Sequence, residues 1–350
     1  MATTDGGAPA HLELFAALAN EPWSFDFFQA LRRIEAVFPE QPRLGTALRP
    51  VDEPVRISQE ASVAFAPSTL SAFDEAGPRP RLEQRFFGLL GPNGPLPLHV
   101  TEYVRERMRH HGDETLARFL DLLHHRLALL FYRAWSTSRP TVQHDRPGDD
   151  RFSVHVAALG GYGARAMTGR DAVSDHAKRF FIGHLARHAR NAEGLASILE
   201  GYFGLPARVE QFALGWLELP LDQRTVVRAA PDASTQLGVG VVLGRRVRDV
   251  QSRFRIVMGP MDLDRYTDLL PGERGLARLV AWVRNYVGFE FDWEVQLVLT
   301  CDEVPGIRLG REGHLGWTTW LGAWRRPTDA DDLTLAPERT QPLGRALAAA

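Results

Sequence analysis

Apolar positions fall into two rhythms along the chain, one of three to four residues and one of two, and each rhythm predicts a different element. From Ser24, a suitable N-cap, Phe27, Phe28, Leu31 and Ile34 recur at helical spacing until Pro39 ends the run. Val55, Ile57, Val63 and Phe65 then keep a two-residue alternation, with Ala61 between them, which predicts a half-buried strand. Pro67 to Arg81 is proline-rich and reads as a loop that still carries Leu70 and Phe73. After Asp113, Leu116, Phe119, Leu120, Leu123, Leu127, Leu130 and Phe131 form one broad apolar stripe of a long helix, with Pro140 beyond its end. The polar, turn-rich run Gln143 to Asp150 marks an expected boundary between a first half, 1–150, and a second, 151–350.

The second half opens on Gly160, Gly161 and Gly163 and continues into a long predicted helix from about Ser174, closed by Gly204 with Pro206 just past it. Strands are predicted at Val209–Leu219, Val239–Leu243, Phe254–Met258 and Phe291–Thr300, and an apolar helix at Gly275–Val287. Met1–Pro9 and Ala348–Ala350 read as disordered tails. The expectation is an α+β fold of mixed helices and short antiparallel strands, in two distantly related halves joined by a long helix.

Relatedness of the halves rests on three landmarks in the same order. Arg85-Phe86…Gly91-Pro92 matches Arg253-Phe254…Gly259-Pro260, Leu116-Ala117-Arg118 matches Leu276-Ala277-Arg278, and Phe131…Trp135 matches Phe289…Trp293. The first of these runs is unusual in itself. Arg85 to Val100 interleaves large apolar residues with glycines and prolines, which excludes a regular helix or strand throughout. It is either a loop sealing a core or a rigid apolar loop offered to a partner, since prolines lower the ordering cost of binding.

Composition narrows the chemistry. With 41 basic and 43 acidic residues the net charge is -2, which argues against a nucleic-acid binder. Lys178 is the only lysine; the arginine bias fits a GC-rich genome and equally the pairing of guanidinium forks at interfaces. The single cysteine, Cys301, excludes an internal disulfide and sits in an apolar run as a small core residue. No signal peptide or membrane-spanning stretch is visible, so a cytoplasmic protein is expected.

Candidate catalytic groups are sparse. His110-His111 and His124-His125 are adjacent pairs without the spacing of a helical zinc clamp and read as solvated or interface histidines. His184 and His188 have that spacing, and with a carboxylate they define the alternative reading, a metal-dependent hydrolase. Gly160-Gly161-Tyr162-Gly163 lacks the remainder of a nucleotide-binding loop. No acid, base and oxyanion site can be assembled, so no enzyme, metal or cofactor is expected.

A family resemblance spans almost the whole chain. Its carriers are Phe27-Phe28-Gln29, Phe87-Gly88-Leu89-Leu90-Gly91-Pro92-Asn93-Gly94-Pro95-Leu96-Pro97 with Thr101-Glu102, Phe119-Leu120-Asp121, His125-Arg126, Tyr132-Arg133-Ala134-Trp135, Phe254-Arg255-Ile256, Gly259-Pro260, Leu315-Gly316 and Thr319-Trp320-Leu321-Gly322. In these the chain resembles the TssG family (ImpH, VasB), wedge proteins of the type VI secretion baseplate. The resemblance implies a structural, non-catalytic subunit that binds TssF, usually two copies, contacts TssK trimers and TssE, and lies near the VgrG spike. It implies assembly in the cytoplasm on a baseplate docked to the inner membrane, without membrane insertion or nucleic acid. The expected contact residues are Phe65, Leu70 and Phe73; Phe86, Phe87, Leu89, Leu90, Pro92 and Leu96; and Phe254, Met258, Pro260, Met261 and Leu263.

Overall fold

The computed structural model describes residues 10–226, 235–306, 313–322 and 324–340; both predicted tails lie outside them. The chain divides into two compact units, Met1–Ser153 and Val154–Ala350.

Unit 1 begins with α1 (Ala10–Asn20) and α2 (Phe27–Val37). Helix α2 starts at Asp26 rather than Ser24, because the Asp26 carboxylate accepts from the Phe28 and Gln29 amides at 2.9 and 3.4 Å. Then come β1 (Arg56–Gln59), β2 (Leu70–Asp74) and β3 (Arg81–Gln84), followed by α3 (Leu98–His111), α4 (Thr115–Thr137) and α5 (Pro140–His144). The strands lie in the order β1-β3-β2, with β1 parallel and β2 antiparallel to β3. The predicted Pro67–Arg81 loop therefore contains a strand, β2, whose Leu70 and Phe73 are core residues. The predicted Val55–Phe65 strand stops at Gln59, since β3 ends at Gln84 and leaves nothing beyond it to pair with. Phe27, Leu31 and Ile34 of α2 meet Ile57, Leu70, Leu82, Leu129 and Tyr132 in one buried cluster.

The short helix α6 (Arg151–Leu159) runs across the boundary, where a long connecting helix was expected. Unit 2 continues with α7 (Asp175–Phe180), α8 (Ile182–Leu185), α9 (Ala192–Phe203), β4 (Ala207–Glu210), β5 (Gly215–Glu218), β6 (Arg246–Asp249) and β7 (Arg253–Met261). It closes with α10 (Leu263–Asp268), α11 (Arg274–Val287), β8 (Asp292–Leu299), β9 (Ala330–Leu335) and α12 (Pro337–Thr340). The main sheet has the order β4-β7-β8-β9, with β7 and β8 parallel and the outer pairs antiparallel. Helices α10 and α11 make the crossover that a parallel pair requires. Ile256, Met258, Val295, Leu297 and Leu299 of the sheet share a buried cluster with Ile198 and Leu199 of α9 and Leu276, Leu279 and Trp282 of α11.

The α+β class holds, with each larger sheet mixed rather than purely antiparallel. The single helix expected from Ser174 to Gly204 is three. Arg190 turns its guanidinium onto the carbonyls of His184 and Leu185 at 2.8 and 2.7 Å, and Asn191 caps α9 afresh through the Gly194 amide at 3.1 Å. Val209–Leu219 is likewise two strands, β4 and β5. Val239–Leu243 is not a strand, flanked as it is by Gly238 and Gly244 at φ +82° and +92°.

The repeat landmarks fare unequally. Leu116–Arg118 and Leu276–Arg278 both open helices, α4 and α11. Arg85–Pro92, however, is an irregular loop beyond β3, bent at Gly88 and Gly91 (φ +149° and +92°), whereas the Arg253–Pro260 turn is extended chain within β7. Trp135 lies in α4 and Trp293 in β8.

Candidate partner-binding surface

Helix α4 is apolar on two faces, and the face rich in leucine is the outer one. Ala117, Leu120, His124, His125, Ala128, Leu129 and Tyr132 are buried. Phe119, Leu122, Leu123, Leu127, Leu130 and Phe131 are 42–65% exposed, and Phe119, Leu123, Leu127 and Phe131 recur every four residues with Leu122 and Leu130 beside them, so they form a continuous stripe. A helix apolar on both sides belongs inside protein, and a stripe of this size left open on a subunit marks a surface for another chain.

The histidines face inward because β1 needs them. As an outer strand of its sheet, β1 would leave alternate amides bare. The Ile57 N–H donates to His125 Nδ1 at 3.2 Å and the Gln59 N–H to Asp121 Oδ1 at 3.1 Å, so α4 closes that edge. One turn away the Leu89 N–H donates to His124 Nε2 at 3.0 Å, while His124 Nδ1 faces Asp121 Oδ1 at 3.4 Å. Both accepting nitrogens must be unprotonated for these bonds to exist. Of the histidines expected to be solvated or at an interface, His110 and His111 are exposed, whereas His124 and His125 are buried and bonded within the unit.

Burial, aided by the nearby Arg56 and Arg126 charges, pushes His125 down to about 4 from an ordinary 6.5, with Asp121 opposing. The unfolded chain therefore binds the proton more readily than the folded one. The stabilisation is complete above pH 6.5 and is lost as the pH falls toward 4, by roughly 3 kcal/mol. His125→Asn, which keeps an acceptor at the Nδ1 position, is expected to flatten the pH dependence of urea unfolding between 4 and 6.5. Equal slopes for the two proteins would remove this assignment.

The Gly–Pro loop is fixed by buried side chains rather than by regular structure. Gln59 binds Leu90 twice, accepting from its amide at 2.9 Å and donating to its carbonyl at 2.7 Å. The Gly91 amide donates to Thr101 Oγ1 at 3.0 Å and the Phe87 amide to Gln84 Oε1 at 2.9 Å. Leu90 turns inward against Val104, Ala117 and Leu120. Phe87 lies flat on Phe131 of the α4 stripe, ring centres 5.1 Å apart and planes 4° apart, and Leu127 lines a cleft of about 370 Å³ together with the loop. The loop thus seals a small core with one side and extends the α4 surface with the other.

The expected contact residues divide by burial. Phe65 (83% exposed), Pro92 and Pro260 are open, and Phe86, Phe87, Leu89, Leu96 and Leu263 are half-buried. Leu70, Phe73, Leu90, Phe254, Met258 and Met261 are core side chains with no free surface to present. Leu122 of the α4 stripe and two exposed leucines elsewhere are not among these expected contact residues.

Those two leucines sit on loops held by hydrogen bonds. Leu48, 99% exposed, follows a turn in which the Leu44 and Gly45 amides donate to the buried carboxylates of Glu35 and Glu53 at 3.0 and 2.9 Å. Arg126 and Arg133 hold the carbonyl of Gly45 from α4, both at 3.3 Å. Gly45 itself takes φ +77°, and a Cβ there would meet Arg133 and the Leu129 carbonyl below 3.0 Å. In unit 2, fully exposed Leu321 adjoins Trp320, whose indole N–H donates to Asp332 at 3.2 Å. The same loop is held by the Tyr266 hydroxyl donating to the Trp317 carbonyl at 3.0 Å and by the His314 amide donating to Thr318 Oγ1 at 2.8 Å.

Helix α8 ends at Leu185, so His184 and His188 do not share a helix face, and no group of three metal-ligating side chains occurs among the described residues. Cys301 lies just past β8 rather than within it, half-buried, its thiol pushed up by burial and by Asp302 and Asp329. No helix among the described residues is long and apolar enough to cross a membrane.

The chain matches no curated protein. It is similar to a solved structure of the baseplate complex from the type VI secretion system, at 25% identity over 93% of each chain with a TM-score of 0.63. It also shares its fold with a chain of the type VI secretion TssK-TssF-TssG baseplate subcomplex solved by cryo-electron microscopy. There the identity is 22%, over 62% of this chain and 90% of that one, with a TM-score of 0.51. Residues 21–322 match the family described as type VI secretion, TssG. The chain belongs to the TssG family.

Proposed function

We propose that the chain is a structural, non-catalytic subunit of a type VI secretion baseplate that bridges paired TssF copies to TssK. The observation that carries this reading is that exposed apolar groups sit on a helix face and on hydrogen-bonded loops, at separate places in each unit. A stripe running from Phe119 to Phe131 on α4 suits one extended and lasting partner surface, and TssF fits that role. Single leucines on fixed loops, Leu48 in unit 1 and Leu321 in unit 2, suit small pockets on a repeated partner, and TssK fits that role. The structures of related baseplates, one containing TssK and TssF, support the choice of partners. TssE and the VgrG spike complete the neighbourhood, in the cytoplasm at a baseplate docked to the inner membrane.

The test uses the full chain co-expressed with TssF. Leu48→Asp and Leu321→Asp are each expected to weaken capture of TssK by on the order of tenfold to a hundredfold, with TssF retained. The double variant is expected to lose more than either single one, because two linked contacts fail together. Unchanged TssK capture by the folded double variant would refute the role given to these loops.

A further inference from the structure

The segment from Gly160 to Arg190 in unit 2 is strongly basic, although the chain as a whole is close to neutral. It holds six basic residues and two acidic ones. Both carboxylates turn inward. Asp171 lies 2.9 Å from the Lys178 ammonium and accepts from the Asn285 amide at 2.9 Å. Asp175 lies 3.6 Å from the same ammonium and accepts from the Gly169 amide at 3.0 Å. Lys178 is buried under the Tyr162 ring, so both carboxylates are engaged by the lysine and not by the neighbouring arginines.

That arrangement leaves the arginines alone. Arg165, Arg170, Arg179 and Arg187 have no carboxylate within ion-pairing distance among the described residues, the two nearby carboxylates being held by Lys178. Arg170 rests on the Met167 sulfur at 3.2 Å and Arg179 on His176 at 3.2 Å, contacts that leave each charge uncompensated. The turn carrying Arg165 and Arg170 adjoins α7, since Thr168 lines one small cavity with Lys178 and Arg179. Phe180, 80% exposed, stands at the end of the same helix.

We propose that Arg165, Arg170 and Arg179 with Phe180 form a docking surface for an acidic protein face, one that sets carboxylates around an apolar contact for the Phe180 ring. Unpaired guanidinium forks around an exposed aromatic ring have the composition of a protein interface. A nucleic acid or an anionic membrane engages a broad run of cations, and with a total charge of -2 the chain adds no wider positive field to this local cluster. The inference rests on the baseplate reading, which supplies the partner proteins.

Arginine footprinting with phenylglyoxal, read by mass spectrometry, tests it on the full chain alone and in its purified complex with TssF and TssK. Arg165, Arg170 and Arg179 are expected to react in the free chain and to be protected about tenfold or more in the complex. Arg165→Glu with Arg170→Glu is expected to slow association by on the order of tenfold at low salt and to flatten its salt dependence. A complex that forms with all three arginines still reactive overturns this surface and leaves the baseplate role standing. Protection by double-stranded DNA or phosphatidylglycerol vesicles, without protection in the protein complex, also overturns it. A chain that forms no complex at all overturns the baseplate role and this surface with it.

Discussion

Replacing Leu123 and Leu127 together by Asp is expected to abolish the complex with TssF while leaving the free chain folded. Both side chains are about half exposed in the middle of the α4 stripe, and neither belongs to a buried cluster. Surface changes of this kind move stability little, and the lower helix propensity of Asp adds about 0.5 kcal/mol per site. Association reads the same change quite differently. Each leucine that would be covered is replaced by a carboxylate that must be desolvated, and central apolar anchors contribute about 2 kcal/mol or more apiece. Two adjacent losses give a loss of affinity of roughly a thousandfold, measurable by co-purification and by titration. Leu123→Met with Leu127→Met, which keeps volume and apolarity, is expected to bind nearly as the parent does. A double Asp variant that still co-purifies with TssF in equal yield sinks the assignment of α4.

The largest effect on stability is expected from Trp282→Ala. The Trp282 side chain is fully buried in α11, with Phe181 and Tyr202 edge-on at 5.4 and 5.3 Å. Removing it takes away the contacts of three elements at once and leaves a cavity that Ala cannot fill, a loss of about 3–5 kcal/mol. If the two units unfold separately, as we propose, calorimetry should show the unit 2 transition falling by about 10 °C or more. The unit 1 transition, centred on α2, the β1-β3-β2 sheet and α4, should stay in place. One transition that moves as a whole counts against independent units.

Some of this architecture is legible along the chain and some is not, for reasons that lie in particular residues. Helices α4 and α11 and strands β7 and β8 can be read because each holds its period over many residues and meets its neighbours broadly. The sidedness of α4 cannot. Both of its faces are apolar, and the choice between them is made by β1, whose Ile57 and Gln59 amides need His125 and Asp121 from far along the chain. The broken helix after Ser174 was hidden for a similar reason, since Arg190 ends α8 by folding back from beyond it. Among the site residues, the Gly–Pro loop is visible because prolines and glycines cannot be mistaken for an element. Leu48 is invisible, being one apolar residue without a period, and only the buried carboxylates of Glu35 and Glu53 show that its loop is held in place.

The closing of β1 by α4 also bears on what happens when many copies crowd together. A strand with bare amides can recruit a strand from any neighbouring molecule, and identical copies gathered around one assembly are the neighbours most able to supply it. With the Ile57 and Gln59 donors already taken by an imidazole and a carboxylate, that side of the sheet has nothing to template. Copies of the protein can then accumulate while awaiting their partners without this edge starting a fibre, and they meet through side-chain surfaces that select who binds.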